Sequence, residues 1–117
     1  MSKILVVDDD DMIRMVLPEV IKMAVSQISN VPIDFEILLA KNGAEGLELF
    51  KQGQDLIKVI FTDFEMPVMN GKKMTELIRE FEKEKSVTII GLTGYDSDES
   101  RAEGIAAGMT KVLVKPP

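Results

Sequence analysis

The sequence predicts a single α/β domain, built on a parallel sheet with helices on both of its faces. Three observations indicate this class. Short apolar runs alternate with stretches of helical periodicity along the 117 residues. The apolar runs are unbroken, as in strands buried on both faces. Polar residues follow the runs, as they follow strands that end at the edge of an open parallel sheet. The length fits one domain over residues 1–117.

The first half of the chain predicts three strands and two helices. The strands are at residues 4–7, 35–40 and 59–62. Apolar residues at helical spacing from Ile13 to Ile28 predict a first helix, kinked by Pro18 and capped by the acids before it. A second helix follows Asn42-Gly43 and ends at Gly53. Residues 30–32 are predicted to break the first helix.

The second half predicts two further helices and two further strands. A stripe from Met74 to Phe81 marks the third helix, and residues 98–107 form the fourth, capped by Asp96 or Ser97 and ended by Gly108. The strands are at residues 87–92 and 112–114. Strict alternation implies right-handed crossovers, and five such strands suit the flavodoxin-like order 2-1-3-4-5 in a three-layer sandwich. The methionines at positions 12, 15, 23 and 74 are expected in the core or at its rim.

Composition excludes several classes of function. There are 20 acidic and 14 basic residues, a net charge of -6, which argues against binding to nucleic acid. The absence of Cys and His excludes disulfides, thiolate chemistry, His-ligated zinc and a phosphohistidine in this chain. No apolar run approaches the length of a membrane span. The expected setting is cytoplasmic.

The chemistry gathers where the predicted strands end. Asp8 and Asp9 follow the first strand, Asp63 the third, Thr93 the fourth and Lys115 the fifth. Carboxylates about 4 Å apart repel by about 4 kcal/mol per pair at an effective dielectric constant near 20, so Lys115 or a hard cation such as Mg²⁺ must offset them. A carboxylate in such a site can attack phosphorus and form an aspartyl phosphate.

These residues stand in motifs that resemble a known family. The motifs are 4–9 (ILVVDD), Asp63 followed by Met66-Pro67 and Asn70-Gly71, 92–94 (LTG), and Lys115-Pro116. Together and in this order they are similar to the receiver domain of two-component response regulators, of the single-domain, chemotaxis-regulator kind.

The resemblance implies a role for each residue at the site. Asp63 is the phosphoacceptor, and Lys115 pairs with it and then with the phosphoryl group. Thr93 turns its hydroxyl toward a phosphoryl oxygen. Mg²⁺ is held by Asp63, by Asp9, by Asp8 directly or through water, and by the backbone carbonyl of Glu65.

The resemblance also implies features outside the acidic cluster. Gly94 leaves the donor room to approach, and Pro116 follows a cis peptide bond. Side chains two residues after Asp63 and Thr93, here Glu65 and Tyr95, are expected to slow hydrolysis of the acyl phosphate.

The same resemblance implies partners. The donor is a histidine kinase or a histidine phosphotransfer protein, and the readout is contact with an output protein. The chain itself is a stoichiometric phosphoacceptor that catalyses its own phosphorylation and dephosphorylation, and not an enzyme that turns over a separate substrate.

Two departures from the family pattern stand out. Val112 occupies the position of a switch aromatic. The chain stops at Pro117, without the usual fifth helix, so we expect an uncovered apolar patch that favours self-association, binding of a partner's helix, or poor stability.

Three alternatives remain at this point. One is an aspartate-based phosphatase of the haloacid-dehalogenase type, although that family places its nucleophile after the first strand. A second is a flavodoxin-like cofactor module, which the Asp run after the first strand disfavours because it would repel phosphate. A third is a degenerate receiver that binds partners without taking a phosphoryl group.

Overall fold

The computed structural model describes residues 2–28, 34–53, 56–82 and 87–115, and within them five strands alternate with four helices. The strands are β1 (Ser2–Val7), β2 (Phe35–Ala40), β3 (Ile57–Asp63), β4 (Thr88–Thr93) and β5 (Lys111–Val114). The helices are α1 (Asp11–Ile28), α2 (Gly43–Gly53), α3 (Gly71–Phe81) and α4 (Asp98–Ala107). The strands pair in parallel in the order β2-β1-β3-β4-β5. The predicted fold and strand order are confirmed.

The main core lies between the sheet and helices α2 and α3. Every second residue of a strand points to this side, because successive side chains of a strand point to opposite faces of the sheet. Its fully buried members include Leu5, Ile60, Ile89, Phe50, Met74 and Ile78. This packing fixes the strands firmly and therefore the positions of the residues at their ends.

Helix α1 covers only part of the opposite face. Val6 is fully buried there, and the strand register places it beside Leu39 and Phe61. Further along the sheet, Phe61, Ile90 and Leu92 are half-buried and Leu113 is exposed. We call these four residues the β3–β5 apolar face. The uncovered patch expected from the sequence would lie on this face, and its role in self-association stays a prediction.

The prediction for three of the methionines was wrong. Met12, Met15 and Met23 are exposed on α1, whereas Met74 is buried as expected. The helix carries two apolar stripes, and it turns the one containing Ile21 toward the sheet. Pro18 lies inside a continuous α1, and the kink expected there stays a prediction.

Several helix ends follow the predicted local chemistry. Asp10 accepts hydrogen bonds from the backbone N–H groups of Met12 and Ile13 at the start of α1. Ser97 caps α4 by accepting from the N–H of Ser100, and Gly108 ends α4 with φ of 112°. The predicted break at 30–32 and the Lys115–Pro116 peptide lie outside the described residues. No helix among the described residues is long and apolar enough to cross a membrane.

Candidate functional site

The polar residues at the strand ends meet where the strand order reverses. β1 and β3 are neighbours in the sheet, with Val7 opposite Thr62, so the residues that follow these two positions share one edge. Asp8 comes directly after β1, and Asp63 is the last residue of β3. Thr93 ends β4 and Lys115 follows β5. This is the edge at which open parallel sheets form their sites.

Three carboxylates form the centre of the site. Carboxylate oxygens of Asp8, Asp9 and Asp63 all lie within 4.8 Å of one another. Asp8 is 1% and Asp63 8% exposed, while Asp9 faces solvent. Two largely buried acids and one exposed acid are therefore held together at the mouth of the sheet.

Lys115 is the cation that contacts this cluster. Its Nζ lies 3.0 Å from Asp63 Oδ1 and 3.4 Å from Asp8 Oδ2. Burial opposes the charged ammonium, but the hydrogen bond and charge of Asp63, with those of Asp8, outweigh it and raise the pKa of Lys115. The ammonium is thus protonated at neutral pH and bridges the two buried acids.

The surroundings of Asp8 disfavour the charged form of its carboxyl group. Burial raises the pKa of this carboxyl, and the neighbouring Asp63 charge adds to the rise. The N–H of Asp10, which donates to Asp8 Oδ1 at 3.0 Å, and the Lys115 ammonium oppose it without cancelling it. The single ammonium of Lys115 does not neutralise three carboxylates, so a further positive charge would stabilise the cluster.

The donor atoms present fit a hard divalent cation. All three side chains offer carboxylate oxygen, the ligand that Mg²⁺ prefers, and the sequence has no Cys or His that would favour a softer metal. The exposed position of Asp9 leaves one side of the cluster open to water, which Mg²⁺ retains in most protein sites.

Arg14 supports the β1–α1 turn and was not identified from the sequence. Its Nη1 donates to the backbone carbonyl of Asp8 at 2.7 Å, and its other terminal nitrogen pairs with Asp11. The only sequence signal was the three-residue spacing of Asp11 and Arg14 on a helix. Asp10 and Asp11 therefore serve α1 and its turn, as the capping interpretation predicted, and stay out of the carboxylate cluster.

Thr93 is the last residue of β4 and is held by hydrogen bonds where the loop to α4 begins. Its side chain is buried, and its hydroxyl oxygen accepts a hydrogen bond from the N–H of Tyr95 at 3.2 Å. Its carbonyl accepts from the N–H of Lys115 at 2.7 Å. This backbone hydrogen bond joins the end of β4, which carries the Thr93 hydroxyl, to the residue after β5, which carries the Lys115 ammonium.

The two side chains expected to affect hydrolysis lie beside the site. Glu65 and Tyr95 are exposed, and both line a cavity of about 510 Å³ that Lys72 and residues of α4 complete. Gly94 lines the same cavity, and a Cβ built on it would meet nothing within 4 Å. The space above Gly94 is open, as an approaching donor requires.

Comparison with known proteins agrees with this geometry. The family model described as response regulator receiver domain matches residues 4–117. The chain is 31% identical to the sensor histidine kinase CheAY of Helicobacter pylori over 97% of its own length, which is only 13% of that kinase. It is 30% identical to a chemotaxis protein CheY homolog of Campylobacter jejuni, covering 97% of this chain and 81% of that protein.

A solved structure is also similar. The chemotaxis response regulator CheY4 of Vibrio cholerae is 32% identical, with a TM-score of 0.82 over 100% of this chain and 88% of that one. The similarity extends over all of the strand ends that form the acidic site.

Proposed function

The chain belongs to the response regulator receiver domain family and acts in two-component phosphorelay signalling, and on this premise we propose that Asp63 is its phosphoacceptor. The observation that carries the assignment is the contact of Asp63 with Lys115 inside the three-carboxylate cluster. Asp63 makes the shorter of the two contacts with the Lys115 ammonium, 3.0 Å against 3.4 Å for Asp8, and it ends the central strand β3. The position after β3 also separates it from a phosphatase whose nucleophile follows the first strand.

The proposed step is a direct transfer of the phosphoryl group. A carboxylate oxygen of Asp63 attacks the phosphorus of a phosphohistidine, an O–P bond forms, and the P–N bond breaks. The imidazole leaves with the electron pair of the P–N bond and takes a proton from solvent. Lys115 neutralises charge on the phosphoryl oxygens, and the Thr93 hydroxyl donates to one of them.

Asp8, Asp9, Asp63 and the backbone carbonyl of Glu65 would hold Mg²⁺. When bound, the cation neutralises charge on the phosphoryl group as it is transferred. The assignment is supported by three clustered carboxylates that share one ammonium, that of Lys115.

Hydrolysis of the aspartyl phosphate resets the receiver. Water attacks phosphorus, the bond between phosphorus and the Asp63 oxygen breaks, and inorganic phosphate leaves as the carboxylate is regenerated. Glu65 and Tyr95 flank the open space beside the site and hinder this water. Replacing both by alanine should shorten the phosphorylated lifetime, and a longer lifetime would contradict this role.

The rim of the site suits an apolar partner surface. Three apolar or aromatic side chains are exposed near the carboxyl edge of the sheet: Met12 in the first turn of α1, Val68 in the loop between β3 and α3, and Tyr95 in the loop between β4 and α4. We assign this rim to a histidine kinase or histidine phosphotransfer protein as donor. The β3–β5 apolar face lies away from the rim and is available for self-association or for an output protein.

Intact-mass measurement tests the function. Incubation with Mg²⁺ and acetyl phosphate should add one phosphoryl group to the wild-type chain and none to Asp63→Asn. Omission of Mg²⁺ should also abolish the gain. A folded wild-type chain with no gain would indicate a degenerate receiver.

A further inference from the structure

Helix α4 contributes almost no apolar side chain to its own packing. Its buried residue is Gly104, and its one large apolar side chain, Ile105, is 52% exposed. A helix normally holds its place by burying an apolar stripe. Side chains from other elements must therefore hold α4 against the sheet.

Phe64 is the aromatic side chain that fills the space beneath α4. It is 3% exposed. A Cβ on Gly104 would lie 2.9 Å from its Cζ and 2.6 Å from Val112 Cγ2. A Cβ on Gly91 of β4 would lie 2.7 Å from its Cε1 and 2.3 Å from Met109 Sδ. The ring thus occupies a slot that exists because two glycines, one on the strand and one on the helix, have no side chain.

The backbone of Phe64 is also held in place next to Asp63, the proposed phosphoacceptor. It follows Asp63 directly, its N–H donates to the carbonyl of Leu92 at 3.2 Å, and its carbonyl accepts from the N–H of Gly71 at 3.0 Å. The backbone at Asp63 therefore has little freedom to shift without moving the ring.

A second contact connects the ring with α4. Lys72 Nζ lies 5.7 Å above the centre of the Phe64 ring and 2.8 Å from Glu103 Oε2 on α4. The ring thus packs beneath α4, and the same lysine contacts both the ring and the helix.

We propose that Phe64 couples the phosphorylation state of Asp63 to the position of α4. The inference rests on the proposed function of Asp63. A hydroxyl of Thr93 that turns toward a phosphoryl group gives up its hydrogen bond with Tyr95 and releases the loop before α4. The Phe64 ring, packed with Val112 and Met109 against Gly104, and the Lys72 contact then hold α4, so the ring affects how far the helix follows.

Hydrogen exchange of residues 98–107 tests the coupling, with Mg²⁺ and beryllofluoride as the stable mimic of the phosphorylated state. In the wild type, the mimic should change exchange in α4 by about threefold or more. In Phe64→Leu, that difference should fall to less than half, while intact mass still reports phosphorylation by acetyl phosphate. Phe81→Leu, a change in an exposed ring at the end of α3, is the matched control and should retain the wild-type difference.

Lys72→Met provides a second variant that leaves the core intact, in case Phe64→Leu folds poorly. It should reduce the state-dependent difference partially. A wild-type difference in both variants, or an unchanged α4 in a phosphorylated wild type, would overturn the coupling. A wild type that takes no phosphoryl group would instead overturn the proposed function, so the two failures are distinguishable.

Discussion

Replacing Asp8 by asparagine should stabilise the metal-free protein. The Asp8 carboxylate lies within 4.8 Å of those of Asp9 and Asp63 and 3.4 Å from Lys115 Nζ. At an effective dielectric constant of 20, repulsion from Asp63 is about 3.5 kcal/mol and attraction to Lys115 about 5 kcal/mol. Asp9 is exposed and adds only about 1 kcal/mol of repulsion. The attraction and the two repulsions nearly cancel. The cost of burying the carboxylate therefore decides whether its charge stabilises or destabilises the fold.

The expected gain follows from this balance. Burial raises the pKa of Asp8, so the folded protein favours the neutral form of this side chain. Asparagine keeps an oxygen for the N–H of Asp10 and carries no charge. We therefore expect Asp8→Asn to increase the free energy of unfolding by about 0.5 to 2 kcal/mol, the usual gain from removing an unfavourable charge.

Urea unfolding followed by circular dichroism, in EDTA at pH 7, measures the effect. Asp10→Asn is the matched control, because asparagine caps a helix as well as aspartate does, and it should change stability by less than about 0.5 kcal/mol. Saturating Mg²⁺ should remove the advantage of Asp8→Asn by stabilising the wild type. A loss of stability in EDTA would show that the attraction to Lys115 dominates and would refute the reasoning.

The pH dependence gives the same prediction a second test. Folding raises the pKa of Asp8 above 3.8, so the folded state binds more protons than the unfolded state between the two pKa values. The wild-type penalty is therefore absent below the unfolded pKa, grows as pH rises from the unfolded pKa to the folded one, and is complete above the folded pKa. The advantage of Asp8→Asn should vanish in acid, and a gain of equal size at every pH would contradict the electrostatic cause.

Three further variants test other parts of the structure by urea unfolding. Arg79→Met should cost about 3 kcal/mol, because it strands the buried Glu82 and frees two backbone carbonyls; a loss below about 1 kcal/mol would contradict this. Gly71→Ala should both destabilise the fold and reduce phosphorylation measured by intact mass, since its Cβ would lie 2.0 Å from the carbonyl oxygen of the last residue of β3. Gly94→Ala, with open space around it, is its control and should match the wild type in stability. Val68→Asn should gain about 1 kcal/mol, because Val68 has φ of 69° and is 83% exposed, and asparagine tolerates that conformation; an unchanged or lower stability would contradict the strain.

The site was predictable from the sequence because its residues follow buried strands. An unbroken apolar run marks a central strand, and parallel strands bring their carboxyl ends to one edge. Asp8, Asp63, Thr93 and Lys115 each follow or end such a run, so their convergence required no knowledge of side-chain packing.

Other features depended on packing that a linear pattern does not contain. Helix α1 has apolar residues on two sides, and periodicity alone could not tell that Met12 and Met15 would face solvent while Ile21 faces the sheet. The slot for Phe64 depends on Gly91 and Gly104, which are distant in sequence and look like ordinary small residues. Such contacts between distant residues leave no local signal.

Mapping the phosphorylated residue tests the central claim most directly. The chain would be phosphorylated with acetyl phosphate and Mg²⁺, reduced with borohydride to convert the acyl phosphate to homoserine, digested and sequenced by tandem mass spectrometry. We expect homoserine at position 63 alone. Homoserine at Asp8 or Asp9, or equal labelling in Asp63→Asn, would contradict the assignment of Asp63 as the phosphoacceptor.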